Sequence, residues 1–437
     1  MFCHRVFYIG FFPRMFCFGC FPLDRANGAG AWSGLGLRAR RRMERIMEAF
    51  TEDRLRELAG AVTGQDAEAV RAAETYVDSL AAPPGSLGRL ADAAIRLAGI
   101  TGRVKNRVDR RRIIVLCADN GVVAEGVAST PQIVTLSQAL NMTRGLTGMS
   151  AMARHFGCEV EVVDVGIATP YHEEGSGILQ RRIRRGTGNL AQEPAMTRQE
   201  AVTAIGVGIE LARQAAADGV EVLGVGEMGI GNTTTSSAVL AALTGLPVEE
   251  VTGRGAGLTD AAFEKKKRVI ERALALHGLD AECCESGASG SGAADLDEAG
   301  LETLKKVDPI DVISRVGGLD LAAMCGVFIG AASCRIPVVI DGFISIVAAL
   351  CAGRLCGPAR DFMFPSHASE EIGYLCAARE LGLEPWLHLG MRLGEGSGCP
   401  LAFQVLDAAC CLMNDMATFD QARIDDSYLD QLRGSGD

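Results

Sequence analysis

Four short runs of aliphatic and β-branched residues, Arg112 to Ala118, Cys158 to Asp164, Val220 to Val225 and Ile336 to Asp341, are each followed by a loop and an apolar helical pattern. Repeated strand-loop-helix order requires βαβ crossovers, because parallel strands cannot be joined by a tight turn. The expected fold is therefore α/β, with a mostly parallel, Rossmann-like, doubly wound sheet. Ligands of such sheets bind outside the carboxyl ends of the strands. The unusual motifs of this chain fall there: Asp119-Asn-Gly121, Asp164-Val-Gly166, Gly226-Glu-Met228 and Asp341-Gly-Phe343.

The chain ends read differently. Ile46, Phe50, Leu55, Leu58 and Val62 recur at helical spacing, as does the stretch Ala67 to Leu80, so two amphipathic helices are expected. Pro83-Pro-Gly-Ser-Leu-Gly-Arg89 breaks the chain, and Ser86 is a candidate cap for a helix through Leu90, Ala94 and Leu97. Residues 1–46 stand apart, with Phe and Cys interrupted by Arg5 and Arg14 and basic residues placed last, the reverse of a signal peptide. This segment is expected to be disordered or an over-long translation start, with Met43 or Met47 as the true beginning; a membrane anchor is the lesser alternative. The rest shows no membrane-span pattern. Gly287-Ala-Ser-Gly-Ser-Gly-Ala-Ala294 lies in a stretch, 281–300, expected to be a flexible loop.

A net charge of −11 argues against nucleic acid as a partner, since phosphate neutralisation needs a clustered basic face. Small molecules are the expected partners. Fifteen cysteines, an odd number in a long chain, argue against a secreted disulfide framework and for a reducing cytoplasm. Cys17 and Cys20 form a lone CxxC, and no metal site is expected.

Two segments place a single acid among glycines: Gly224-Val-Gly-Glu-Met-Gly-Ile-Gly-Asn-Thr-Thr-Thr235 around Glu227, and Leu393-Gly-Glu-Gly-Ser-Gly398 around Glu395. Residues without side chains let a ligand approach both backbone and carboxylate. Gly224, Gly226 and Gly229 also satisfy a dinucleotide-binding pattern, with Glu249 downstream as the acid that would hold a ribose. Against that reading, Glu227 would put its charge where a pyrophosphate belongs, and Glu249 follows Gly245-Leu-Pro247, not a second strand. The residues that follow, Asn232, Thr233 and Thr234, suit a single phosphate at a helix start, although a plain Thr/Ser-rich cap reads equally well there. Arg254, set between glycines, and the run Lys265, Lys266 and Lys267 are the candidate cations, or else solvated charges.

Pro83-Pro-Gly-Ser-Leu-Gly, Ala118-Asp-Asn-Gly-Val-Val, Gly226-Glu-Met-Gly-Ile-Gly-Asn-Thr-Thr, Gly253-Arg-Gly-Ala-Gly-Leu, Gly317-Gly-Leu-Asp-Leu-Ala-Ala-Met, Asp341-Gly-Phe-Ile-Ser345 and Arg392-Leu-Gly-Glu-Gly-Ser-Gly398 follow one another at family spacing. Over roughly residues 50 to 420 the chain resembles the nicotinate-nucleotide:dimethylbenzimidazole phosphoribosyltransferase family. The resemblance implies a cytoplasmic homodimer, free of metal and cofactor. It implies transfer of 5-phosphoribose from nicotinate mononucleotide to 5,6-dimethylbenzimidazole, giving α-ribazole 5′-phosphate and nicotinate for the lower ligand of cobalamin. It also implies a large α/β domain over 104–388 and a small helical domain built from both chain ends, 47–103 and 389–437, the latter carrying the Glu395 loop.

Such a reaction needs a proton-accepting carboxylate beside the incoming ring. One azole nitrogen attacks the anomeric carbon as nicotinate departs, and the other must lose its proton to a base within hydrogen-bond reach. By the resemblance Glu395 is that general base. Glu227 orients substrate or steadies the developing charge; read from the residues alone, it is equally an acid binding N–H groups of its own loop. Thr130, Gln138, Met228 and Leu393 match positions that line the base. Gly229, Gly231, Asn232, Thr233, Thr234, Lys266 and Ser345 match the phosphate cradle, with Arg254 a further cation. Leu319-Asp320 replaces the usual Phe-Glu, Thr130 a frequent Ser, and Ala82 a frequent polar residue, which bears on the choice of base. The other readings are a non-catalytic ribazole carrier or sensor and, third, a nicotinamide-dinucleotide oxidoreductase.

Overall fold

Six strands, β1 (Arg111–Ala118), β2 (Glu159–Gly166), β3 (Leu179–Gln180), β4 (Val222–Met228), β5 (Val338–Ile340) and β6 (Met363–Pro365), form one sheet in the order β3-β2-β1-β4-β5-β6. Every neighbouring pair is parallel. This is the doubly wound order, and its reversal between β1 and β4 opens a crevice at their carboxyl ends. The computed structural model describes residues 50–280, 307–425 and 427–429. These belong to a compact unit beginning at Met47. The expectations for residues 1–46 and for the loop 281–300 fall outside the described residues.

Helices α1 (Glu52–Gly60), α2 (Ala67–Ser79) and α3 (Gly88–Thr101) precede the sheet. Between β1 and β2 come α4 (Ile133–Thr143) and α5 (Gly148–His155), and α6 (Arg198–Ala217) leads into β4. Between β4 and β5 lie α7 (Asn232–Thr244), the one-turn α8 (Val248–Val251), α9 (Asp260–His277), α10 (Pro309–Val316) and α11 (Leu319–Ser333). The chain continues through α12 (Phe343–Leu355), α13 (Gly373–Leu381), α14 (Cys399–Asp415) and the one-turn α15 (Phe419–Ala422).

The core follows from these pairings. β1 is buried along nearly its whole length, as a parallel strand covered on both faces must be. Helix α11 packs on β1, β2 and β4 and is itself covered by α6 and α12. Gly208 and Gly326 make that helix contact possible, because a Cβ on either would collide with a backbone carbonyl of the facing helix, Ala323 or Ile205. On β4, Gly224 faces the other layer, where a Cβ would fall 2.7 Å from the Cys399 Cβ at the start of α14. Both chain ends meet there: α3 packs on α14, and the Ala81 N–H donates to the Ala417 carbonyl at 2.9 Å.

Three sequence expectations need correction. β3 and β6 have no counterpart among the expected strands; with two and three residues they are too short for an alternation to register. Ser86 does not cap α3: the N-cap is Leu87, without a side-chain bond, and Ser86 sits in the preceding turn with its N–H on Pro83. The Thr/Ser-rich start of α7 is not a side-chain cap either, since Gly231, at φ 94°, occupies the N-cap position.

Candidate active site

The loops after β1, β4 and β5 converge on an open cleft with Glu227 and Glu395 in its wall. Three successive residues of the Glu395 turn, Gly394, Glu395 and Gly396, have φ of 75°, 65° and 90°. A non-glycine residue there is uncommon and persists only when its surroundings impose it. What imposes it is close packing. A Cβ on Gly226 would strike the Glu395 carbonyl, and one on Gly394 would lie 2.5 Å from the Glu227 Oε1. The glycines around Glu227 thus admit the second acidic segment, where a dinucleotide motif would admit a pyrophosphate. Glu249 is exposed on α8 and does not line the cleft.

Glu395 is 6% exposed. Its Oε1 accepts from the Gln138 Nε2 at 3.3 Å, and Gln138 is fixed in turn by the Asn141 side-chain amide at 2.9 Å. Its Oε2 is buried without a hydrogen-bond partner. Burial raises its pKa, opposed by Thr147, Gln138 and the Met149 N–H. A carboxylate so placed holds a proton more tightly than one in water, as a base for an azole N–H should.

Glu227 accepts from the Asn232 side-chain amide and, at 3.3 Å, from the Glu395 backbone N–H. It therefore binds the backbone of the other acidic loop and one side chain of its own segment, not backbone N–H groups of its own loop. Burial, then the neighbouring Asp320, pushes its pKa up to about 8. Asp320, the residue shorter than the family's Glu, still reaches Asn232: its Oδ2 accepts from the same amide at 3.3 Å, and burial lifts its pKa to about 6.

A helix start backed by a lysine adjoins the two acids. Gly229, Gly231, Asn232 and Thr233 line the cleft where α7 begins, and the Thr233 hydroxyl accepts from the Lys266 Nζ at 3.0 Å. Lys266 is fully buried and also donates to the Gly253 carbonyl at 2.9 Å; burial lowers its pKa to about 8. Its neighbours differ: Lys267 pairs with Glu264, and Lys265 is exposed. Arg254 lines the cleft while paired with Asp260 at 2.6 Å. Thr130, Gln138, Met228 and Leu393 line the same cleft, Leu393 with half its surface exposed.

Three expected residues stand behind the wall: Lys266, Ser345 and Thr234. Ser345 is buried with its hydroxyl accepting from the Asp341 N–H at 2.8 Å, and Thr234 is buried with its hydroxyl unpartnered. Glu371, Ser369 and Arg392 line the cleft although no sequence reading singled them out. Glu371 and Ser369 follow β6, a strand too short to leave a sequence signal. Among the described residues no group of three or more His, Cys, Asp or Glu is arranged to hold a metal ion.

A parallel α/β sheet with a carboxylate-rich cleft at its switch point and a lysine-backed helix start beside it is the arrangement of a small-molecule binding site in an α/β protein. A phosphoribosyltransferase family model matches residues 62–296 and 293–424. The nicotinate-nucleotide–dimethylbenzimidazole phosphoribosyltransferase of Clostridium perfringens is 49% identical over 379 residues, covering 87% of this chain and 98% of that relative. The enzyme of the same name from Acetivibrio thermocellus is 46% identical over 349 residues, 80% and 92% of the two chains. The crystal structure of CobT from Thermus thermophilus superimposes with a TM-score of 0.73 at 39% identity, over 82% of this chain and 99% of that one. This chain belongs to the nicotinate-nucleotide:dimethylbenzimidazole phosphoribosyltransferase family.

Proposed function

We propose that this enzyme moves 5-phosphoribose from nicotinate mononucleotide to 5,6-dimethylbenzimidazole or a related azole, releasing nicotinate and forming α-ribazole 5′-phosphate for the lower ligand of cobalamin. The observation that carries the reading is Glu395: a buried carboxylate in the cleft wall, raised in pKa, with one oxygen unpartnered.

In this reading the imine-type nitrogen of the azole attacks the anomeric carbon from the face opposite nicotinate. The C–N bond to nicotinate breaks with its electron pair going to the pyridine nitrogen, and the azole N–H proton passes to Glu395. Thr130, Gln138, Met228 and Leu393 hold the ring, and Gln138 ties the base to that wall. The phosphate is held at the α7 start by Gly229, Gly231, Asn232 and Thr233, with Lys266 and Arg254 supplying charge; Thr234 and Ser345 support this cradle from behind. Glu227 orients the substrate and steadies charge at the ribose.

The enzyme is further proposed to work as a cytoplasmic homodimer, with the small helical domain formed by 47–103 and 389–437. Ile372 and Leu389, large apolar side chains left exposed near the cleft rim, support a partner there. The ten described cysteines are free thiols, most of them buried, in keeping with a reducing compartment. No helix among the described residues is long and apolar enough to cross a membrane.

Glu395→Ala tests the base assignment. Nicotinate release is expected to fall by roughly 100-fold or more while both substrates still bind. Full turnover in that variant contradicts the assignment.

A further inference from the structure

Asp341 follows β5 and is 1% exposed, behind the cleft rather than in its lining. Its Oδ2 accepts from the Gly396 N–H at 2.9 Å and its Oδ1 from the Gly398 N–H at 2.6 Å. With the Glu395 N–H on Glu227, three N–H groups of one turn, three of whose residues are left-handed, are bound by two carboxylates. Asp341 is itself held at both ends of its backbone: its N–H donates to the Ser345 hydroxyl at 2.8 Å, and its carbonyl accepts from Ser366 at 2.9 Å. A chain of bonds therefore runs from the sheet edge through Asp341 to the residues flanking Glu395. Gly398 completes the fit, because a Cβ there would strike Ser366 and the His367 ring and approach the Asp341 Oδ1 to 3.0 Å.

We propose that Asp341 is a positioning residue for the base: its carboxylate locks the left-handed turn that places Glu395 in the cleft, and it acts on the reaction only through Glu395. The proposal rests on the reading of Glu395 as base. A buried acid that merely stabilised the fold would affect all substrates alike. One that acts through the base matters most where the proton is hardest to remove.

The test uses the full chain with dimethyl-, unsubstituted, chloro- and nitro-benzimidazole, whose ring N–H is progressively more acidic, and compares wild type, Asp341→Asn, Gly398→Ala and Glu395→Gln. Nicotinate release, thermal melting and calorimetric affinity for nicotinate mononucleotide are measured for each. Asp341→Asn is expected to lose roughly 100-fold in turnover on the dimethyl compound and progressively less toward the nitro compound, in parallel with Glu395→Gln, with donor affinity within about threefold of wild type. Gly398→Ala disturbs the same bonds from the loop side and carries the test if Asp341→Asn does not fold. Loss of equal size on all four azoles, or none, overturns the proposal. Unimpaired turnover in Glu395→Gln is a separate result, which removes the base assignment itself.

Discussion

The backbone N–H of Glu395 donates to the Glu227 carboxylate at 3.3 Å, joining residues 168 apart in sequence. Two segments that look like duplicate sites in the sequence are thus one assembly. Glu227 stands between the base loop and Asn232 at the start of α7, and so couples the end of the site assigned to the azole to the end assigned to the phosphate. Glu227→Gln keeps one carbonyl acceptor where Glu227→Ala keeps none. The glutamine variant is therefore expected to retain more turnover, by up to roughly tenfold, as the worth of one net hydrogen bond implies. Steady-state nicotinate release from both variants checks this.

Three buried acids dominate the pH response of stability, opposed below about pH 6.5 by His367, whose pKa burial lowers to about 4. Burial raises the pKa of Glu227 to about 8, Asp341 to about 7 and Asp320 to about 6. The folded protein keeps protons that the unfolded chain releases, so their stabilising contribution is present below the ordinary carboxylate range and is lost as pH rises toward 8. Each contributes a slope of at most about 1.4 kcal/mol per pH unit within its window. Glu52 and Glu125, held at about 2 by hydrogen bonds from Arg198 and Asn189 first of all, act only at lower pH. Urea unfolding across pH 5 to 8 is expected to show falling stability, less steep in Glu227→Gln. An unchanged slope in that variant would contradict the assignment.

Lys266 is the buried member of a lysine run, so its charge reaches the cleft only through Thr233 and the α7 start. Lys266→Met is expected to raise the KM for nicotinate mononucleotide by roughly 10- to 100-fold, the worth of a charge-assisted hydrogen bond, with little change for the phosphate-free nucleoside. With burial lowering the lysine to about 8, wild-type affinity for the nucleotide should weaken above that pH as the amine becomes neutral. In the methionine variant the dependence should flatten.

Much of this is legible in the sequence. The carboxyl ends of three of the four long apolar runs, those of β1, β4 and β5, do mark the cleft, because parallel strands buried on both faces leave a hydrophobic signature that short edge strands lack; the Asp164 motif after β2 does not line it. The register that singles out Lys266 comes from family spacing; its burial cannot be read from three adjacent lysines. Asp341 is visible as an acid at a strand end, but its bonds to Gly396 and Gly398 are tertiary and leave no local pattern. Glu371 lies beyond a strand of three residues, too short to point to it. The glycines of the first motif suggest a dinucleotide because close approach of any backbone demands the same residue.

The fold makes its own prediction at Gly208, where α6 meets the backbone of α11. Gly208→Ala is expected to destabilise by about 1–3 kcal/mol through overpacking, with kcat for surviving folded enzyme near wild type. Equilibrium unfolding beside active-site titration separates the two effects.

The central claim is transfer, not binding or hydrolysis. It is tested most directly by incubating the purified protein with nicotinate mononucleotide, with and without 5,6-dimethylbenzimidazole, and following nicotinate and products by mass. Nicotinate is expected only when the azole is present, in step with a product of the mass of ribazole phosphate. Nicotinate appearing equally without the azole, or neither product forming while both substrates bind, would contradict the account.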